Sequence, residues 1–188
     1  MDIIKNIAVP TGNILIVKGE KGELECLSLG DYGQAKNVKA DFLGLTQIPQ
    51  VKHGELLPPE EKWVITISSQ YGCSCGCLFC DVPKVNFGGN ATREDLLGQF
   101  FTAKSLHPEI KKGRINLHYA RMGEPLFNFA SVLSSAYFLD GFFYNSDFKF
   151  HPVISTMLPK SLDCKHMLNE WCFFKNKIRK GDAGLQLS

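Results

Sequence analysis

The sequence predicts an α/β fold, about four parallel strands alternating with three helices, preceded by a small β-hairpin element. Three observations lead there. Strand-like runs recur at 63–69 (WVITISS), 114–120 (RINLHYA) and 148–156 (FKFHPVIST), and segments with apolar residues at helical spacing separate them. Such alternation argues a parallel sheet joined by right-handed crossovers. The composition, 44% apolar with 14 Phe against 21% charged among 188 residues, fills a packed core and excludes a disordered chain.

The elements follow in order. Residues 13–18 (NILIVK) and 22–28 (GELECLS) flank a Gly- and charge-rich turn, the pattern of a hairpin. From 31 to 62 the chain lacks a period, and Pro58-Pro59 forbid a helix there. Residues 1–62 are therefore expected to be an N-terminal hairpin extension and connecting segment, and 63–188 the core. After strand 63–69, a helix is expected over 92–106, opened by Thr92 as N-cap with Asp95 three residues on. After strand 114–120 comes a helix over 128–139 begun by Asn128. After strand 148–156 comes one over about 162–178 begun by Ser161, and 183–188 (AGLQLS) opens a fourth strand. In a parallel sheet the chemistry gathers at the C-terminal ends of the strands.

The net charge of +2, from 21 basic and 19 acidic side chains, is not the footprint of a dedicated polyanion binder. No run approaches the roughly 20 apolar residues that span a bilayer, and the start MDIIKNIAVPTGN has no secretory core. The expectation is a cytoplasmic protein without a membrane partner. Four of seven cysteines, Cys73, Cys75, Cys77 and Cys80, fall within eight residues. In a reducing compartment that clustering reads as a metal site before a disulfide framework.

Cys73, Cys77 and Cys80 have the spacing C-x3-C-x2-C. Three thiolates hold three irons of a [4Fe–4S] cube and leave the fourth iron open to a chelating small molecule. The spacing is the signature of the radical S-adenosylmethionine (SAM) superfamily, which the chain resembles. The competing reading is a zinc or closed iron–sulfur site using all four cysteines, a non-catalytic module. Cys75 is expected to be a bystander whose side chain points away from the irons.

The run from Ser68 to Gln99 resembles more closely the radical SAM adenine-C2 methyltransferases of RNA, the RlmN and Cfr family, with Phe87, Asn90, Thr92, Gly98 and Gln99 in register. Met122-Gly123-Glu124-Pro125-Leu126-Phe127-Asn128 is similar to the family's MGEPLxN, Ile154-Ser155-Thr156 to its STSG, and Leu185-Gln186-Leu187-Ser188 to the start of its AISLHA strand. The resemblance covers about residues 63–188. It implies a partial (β/α) radical SAM barrel with a [4Fe–4S] cluster on Cys73, Cys77 and Cys80. It implies SAM against Phe79, Gly123, Glu124, Pro125, Ser155 and Ser188, with Glu124 at the amino group. It further implies reductive SAM cleavage, a one-electron donor such as flavodoxin or ferredoxin, and ribosomal or transfer RNA as substrate.

The chain departs from that pattern in places. Seven residues before Cys73, where the family has its resolving cysteine, stands Thr66, and a hydroxyl is a far poorer proton acceptor than a thiolate at neutral pH. Asp81-Val82-Pro83 replaces a small-residue stretch, and the family's helical accessory domain has no counterpart in the first 60 residues. The sequence stops during its fourth strand, which predicts a truncated remnant, a fragment, or a half that a second chain completes. Cys26, Cys164 and Cys172 are expected to be packing residues, His118 and His151 to be satisfied rather than reactive, and the run 175–180 (KNKIRK) to be a solvated helix end.

Overall fold

The computed structural model describes residues 1–9, 11–32, 56–57, 59–178 and 183–187. In chain order the elements are β1 (Ile3–Val9), β2 (Gly12–Gly19), β3 (Gly22–Tyr32), β4 (Leu56–Leu57), β5 (Lys62–Ile67), β6 (Gln70–Tyr71), β7 (Gly89–Asn90), α1 (Arg93–Ser105), β8 (Gly113–Tyr119), α2 (Phe129–Phe143), β9 (Phe148–Thr156), α3 (Cys164–Ile178) and β10 (Leu185–Leu187). One mixed sheet runs β1-β2-β3-β5-β8-β9-β10, with β4 beside the end of β3. Its first half is antiparallel through the β3–β5 pair, and β5, β8, β9 and β10 run parallel. Most of the segment expected to connect the hairpin to the core lies outside the described residues.

Period 2 along the strands sorts the sheet into two faces. Trp63, Ile65 and Ile67 of β5 register with Ile115, Leu117 and Tyr119 of β8, which in turn register with Phe150, Pro152 and Ile154 of β9. All nine are buried. Against this face pack Leu96 and Phe100 of α1, Val132, Ala136 and Leu139 of α2, and Trp171 and Phe174 of α3. Each such side chain contributes roughly 1.5–3 kcal/mol on full burial. The opposite face carries Val64, Thr66, Arg114 and His118, all half-buried.

The cap positions follow the sequence in two helices and depart from it in the third. Thr92 accepts the Asp95 N–H at 3.1 Å while Asp95 Oδ2 accepts the Thr92 N–H at 2.9 Å, a complete capping box. Asp95 Oδ1 also accepts the Glu20 N–H at 3.1 Å, so the same carboxylate ties α1 to the β2–β3 turn. Asn128 stands at the N-cap position of α2 as expected but makes no side-chain cap bond, because its amide is engaged elsewhere. The cap of α3 is Asp163, which accepts the His166 N–H at 3.1 Å, not Ser161.

Two further expectations change. The segment Pro125–Phe143 has 19 residues and a mean hydropathy of 1.2, long and apolar enough to cross a membrane by length and composition. In the fold, its Phe129, Val132, Ala136 and Leu139 face the core. Lys175 is not a solvated helix end. It is fully buried, with Nζ donating to the Pro152 carbonyl at 3.0 Å and lying 3.0 Å from His151 Nδ1. Lys177 lies over the Phe173 ring, and residues 179–180 lie outside the described residues.

Candidate functional site

Two turns at the C-terminal ends of β5 and β8 build the site. The first leaves β5 through Ser68, Ser69 and Gln70, all buried, so their backbone groups need partners inside the protein. Side-chain amides, each both donor and acceptor, supply them. Gln99 of α1 accepts the Ser68 N–H and donates to the Ser68 carbonyl, both at 2.9 Å. Asn128 donates to the carbonyls of Ser69 and Ala91 at 2.8 and 2.7 Å. Gln70 donates to Asn90 Oδ1 at 2.7 Å, and Asn90 donates to the Phe127 carbonyl at 2.9 Å. The β6–β7 pair closes the base of the loop, and 73–88 projects from it with no residue fully buried.

The second turn follows β8. The Ala120 and Arg121 N–H groups donate to the Ile67 carbonyl at 3.3 and 3.2 Å, and the Met122 carbonyl accepts the N–H groups of Ser69 and Gln70 at 2.8 and 3.2 Å. Gly123 has φ +93°, and a Cβ there would lie 2.5 Å from Gln70 Cβ and 2.8 Å from its backbone nitrogen. Only glycine fits. Glu124 follows, buried, its N–H donating to Gln70 Oε1 at 3.0 Å. Its Oε1 accepts the Thr156 hydroxyl at 2.6 Å and the Leu126 N–H at 3.0 Å, and its Oε2 accepts the Met157 N–H at 2.9 Å. A carboxylate offers about four acceptor positions, so the protein fills three and leaves one on Oε2.

Between the turns lies a cavity of about 150 Å³. Cys73, Cys75, Cys77, Phe79 and Cys80 line it from the loop, and Gly123, Glu124 and Ser155 from the strand ends. All seven cysteines are free thiols. Larger hollows, about 370 Å³ beside Asp140 and Lys177 and about 710 Å³ beside Glu60 and Arg114, carry no thiol. Residue chemistry, not volume, picks out the candidate site.

The expected site residues fall into three groups. Cys73, Cys77, Cys80, Phe79, Gly123, Glu124 and Ser155 share the cavity. Pro125 is buried at the first position of a one-turn 3-10 helix and does not line it. Thr66 is on β5, opposite Leu27 and His118, and does not line it either. Ser188 lies outside the described residues. Cys75, expected to point away, lines the same cavity, and its N–H reaches Cys73 Sγ at 3.5 Å. Burial, and then the neighbouring Cys73, push its thiol up to about 12. Sequence reasoning missed Arg121, whose only signal is a cation directly before the Met122-Gly123-Glu124 motif, and the Thr156 hydroxyl that orients Glu124.

The donor set fits an iron–sulfur cluster in kind: three or four thiols on one loop above a buried carboxylate. Among the described residues, no three His, Cys, Asp or Glu side chains gather about one point as ligands of a single metal ion do.

No family model matches the chain. Among curated proteins, it is 37% identical over 75 residues to the dual-specificity RNA methyltransferase RlmN of Wolinella succinogenes, covering 40% of this chain and 21% of that one. The corresponding protein of Halorhodospira halophila is 39% identical over 81 residues, covering 43% and 22%. The probable dual-specificity RNA methyltransferase RlmN of Chlorobaculum tepidum is 34% identical over 100 residues, covering 53% and 27%. The aligned stretches thus span about a fifth to a quarter of these relatives. A radical SAM methyltransferase from Sphaerobacter thermophilus shares the fold with a TM-score of 0.55 at 16% identity, over 82% of this chain and 38% of that one. The chain is α/β; it resembles RNA methyltransferases of RlmN type in sequence over about two fifths to half of its length, and a radical SAM methyltransferase in fold over most of it.

Proposed function

We propose that the chain is a radical SAM enzyme unit, its parallel strands forming part of a (β/α) barrel over 63–188 behind an N-terminal β extension over 1–62. In this reading Cys73, Cys77 and Cys80 hold a [4Fe–4S] cluster, and Phe79, Gly123, Glu124, Pro125, Ser155 and Ser188 contact SAM. The observation that carries it is that three thiols and a buried carboxylate with one unused acceptor position line one cavity at the C-terminal ends of parallel strands. Thiols spread along a loop suit a cluster, in which each sulfur takes its own iron.

Bound there by Cys73, Cys77 and Cys80, the cluster would supply, with SAM, one-electron cleavage of the sulfonium bond as the source of radical hydrogen abstraction. The chain's own residues bind and orient. Glu124, fixed by Thr156, Leu126 and Met157, presents its remaining Oε2 position to the cofactor ammonium. Gly123 lets the backbone approach Gln70 and so sets Glu124 against the cavity. Phe79, on the thiol loop, offers an apolar ring to the adenine. The reducing electron comes from an external donor of the flavodoxin or ferredoxin class, in the cytoplasm. A purine base in ribosomal or transfer RNA is the proposed substrate, by likeness to the named activity of the relatives. Thr66 cannot serve as a resolving thiol, so hydrogen abstraction, rather than methyl transfer, is the reaction proposed.

The test is anaerobic reconstitution with iron and sulfide, followed by dithionite and SAM. Release of 5′-deoxyadenosine is expected, and none from Cys77→Ala. A cluster-loaded chain that releases none overturns the enzyme reading. The place of Cys75 in the cavity favours one alternative, a closed four-thiol site without catalysis. Stoichiometric zinc, or loss of the cluster in Cys75→Ser, would establish it.

A further inference from the structure

Arg121 is the one cationic side chain among the described residues that line the thiol cavity. Its backbone is pinned to the end of β5 by the bond to the Ile67 carbonyl. Its side chain is 41% exposed and pairs with Glu25 of β3, 96 residues earlier in the chain. Both Nε and Nη2 of Arg121 contact Glu25 Oε1. A guanidinium has five N–H donors, so this pair uses two and leaves three, on Nη1 and the outer side of Nη2. Glu25 is itself held in place: its carbonyl accepts the Ser68 hydroxyl at 2.6 Å, and Ser68 Oγ accepts the Met122 N–H at 3.2 Å. Strand β3, the turn after β5 and the turn after β8 are thereby joined around the guanidinium.

The amino-acid end of SAM is a zwitterion. Glu124, two residues beyond Gly123's neighbour Met122, offers an acceptor position that suits the ammonium. The carboxylate needs a donor of opposite charge, and a guanidinium edge matches a carboxylate with two parallel N–H groups. We propose that Arg121 binds the α-carboxylate of the cofactor and that Glu25 is the positioning residue that turns the free edge of the guanidinium toward the cavity. This inference rests on the cofactor reading above. The N-terminal strands then take part in cofactor recognition through Glu25.

Equilibrium dialysis of the cluster-loaded chain with S-adenosylhomocysteine, and with its decarboxylated analogue that lacks only the carboxylate, tests it. The wild-type chain is expected to bind the carboxylate-bearing ligand more tightly. Arg121→Ala is expected to weaken that ligand about tenfold or more, the scale of charge-assisted hydrogen bonds, and to leave the decarboxylated ligand within about twofold. Arg121→Lys, which keeps the charge and loses the fork, is expected to fall between, and it decides the matter if the alanine variant does not fold. Glu25→Gln is expected to weaken the carboxylate-bearing ligand a few-fold and spare the other, a discrimination that a merely structural role would not produce. Unchanged binding in Arg121→Ala, or equal weakening of both ligands, overturns the proposal while the cofactor reading stands. A wild-type chain that binds neither ligand overturns both.

Discussion

The two turns that face each other across the cavity are built in opposite ways. The turn after β8 is fixed from within: Glu124 and Asn128 are buried, the carboxylate held by three hydrogen bonds with one Oε2 position open and the Asn128 amide bonded to two carbonyls, and Gly123 stands against Gln70 with no room for a Cβ. The thiol loop projects into solvent with Leu78 fully exposed and Phe79 78% exposed. The difference teaches which half folding alone fixes and which it leaves open. In the proposed reading, a loop whose ends are clamped by Gln99, Asn90 and Asn128 but whose span is open would gain its order from the cluster it binds, as metal sites commonly do.

That contrast can be broken in steps. Gly123→Ala meets both positive-φ strain and a backbone clash, so a loss of roughly 2–5 kcal/mol is expected by urea unfolding. Gly76→Ala, at φ +64° with nothing within 4 Å of the added Cβ, is expected to cost only about 1–2 kcal/mol. Equal costs at the two positions would erase the distinction between the turns. Gln99→Ala leaves the buried Ser68 N–H and carbonyl unpaired, and a loss of roughly 2–4 kcal/mol is expected. Such a loss places the loop's stability in its clamp.

A pH series sharpens the same comparison on the clamped side. Burial opposes ionisation of Asp95, but hydrogen bonds from the Thr92 and Glu20 backbones outweigh it and hold the carboxyl below its usual range. A depressed folded pKa gives stability that is present above the unfolded value, about 3.9, and is lost as pH falls through the lower folded value. Asp95→Asn is expected to flatten the acid limb of stability against pH in urea titrations below about pH 4. The smallest stability effect is expected on the open side. Cys77→Ala leaves the metal-free chain unchanged within about 0.5 kcal/mol, while iron bound per chain after reconstitution collapses.

Local physics made part of this legible in the sequence. Alternating apolar residues in WVITI and RINLHY gave the parallel strands, and the Thr92–Asp95 spacing gave the capping box. The thiol spacing pointed to the loop that lines the cavity. Strand β1 escaped notice because nearly all of it is exposed, so no alternation is imposed on IIKNIAV. Asn128 holds the cap position its sequence signals but spends its amide on long-range bridges, because caps and bridges use the same amide chemistry. Ser161 and Asp163 compete for one helix start within three residues, and only geometry separates them. The Arg121–Glu25 pair and the burial of Lys175 depend on contacts 96 and 23 residues apart, which no local pattern encodes.

The Gln99 amide has a consequence in time as well as space. By donating to and accepting from Ser68, it stands in for a neighbouring strand where β5 has run out of one, and it does so from a fully buried position on α1. The Ser68 amide is therefore expected to exchange its hydrogen for deuterium only when α1 separates from the sheet, at the slow rate of the core. The amides of 73–79, on the projecting loop, are expected to exchange as fast as that loop moves. The border between slow and fast hydrogens falls within a few residues, so whatever motion the thiols undergo stops short of the strand that carries them.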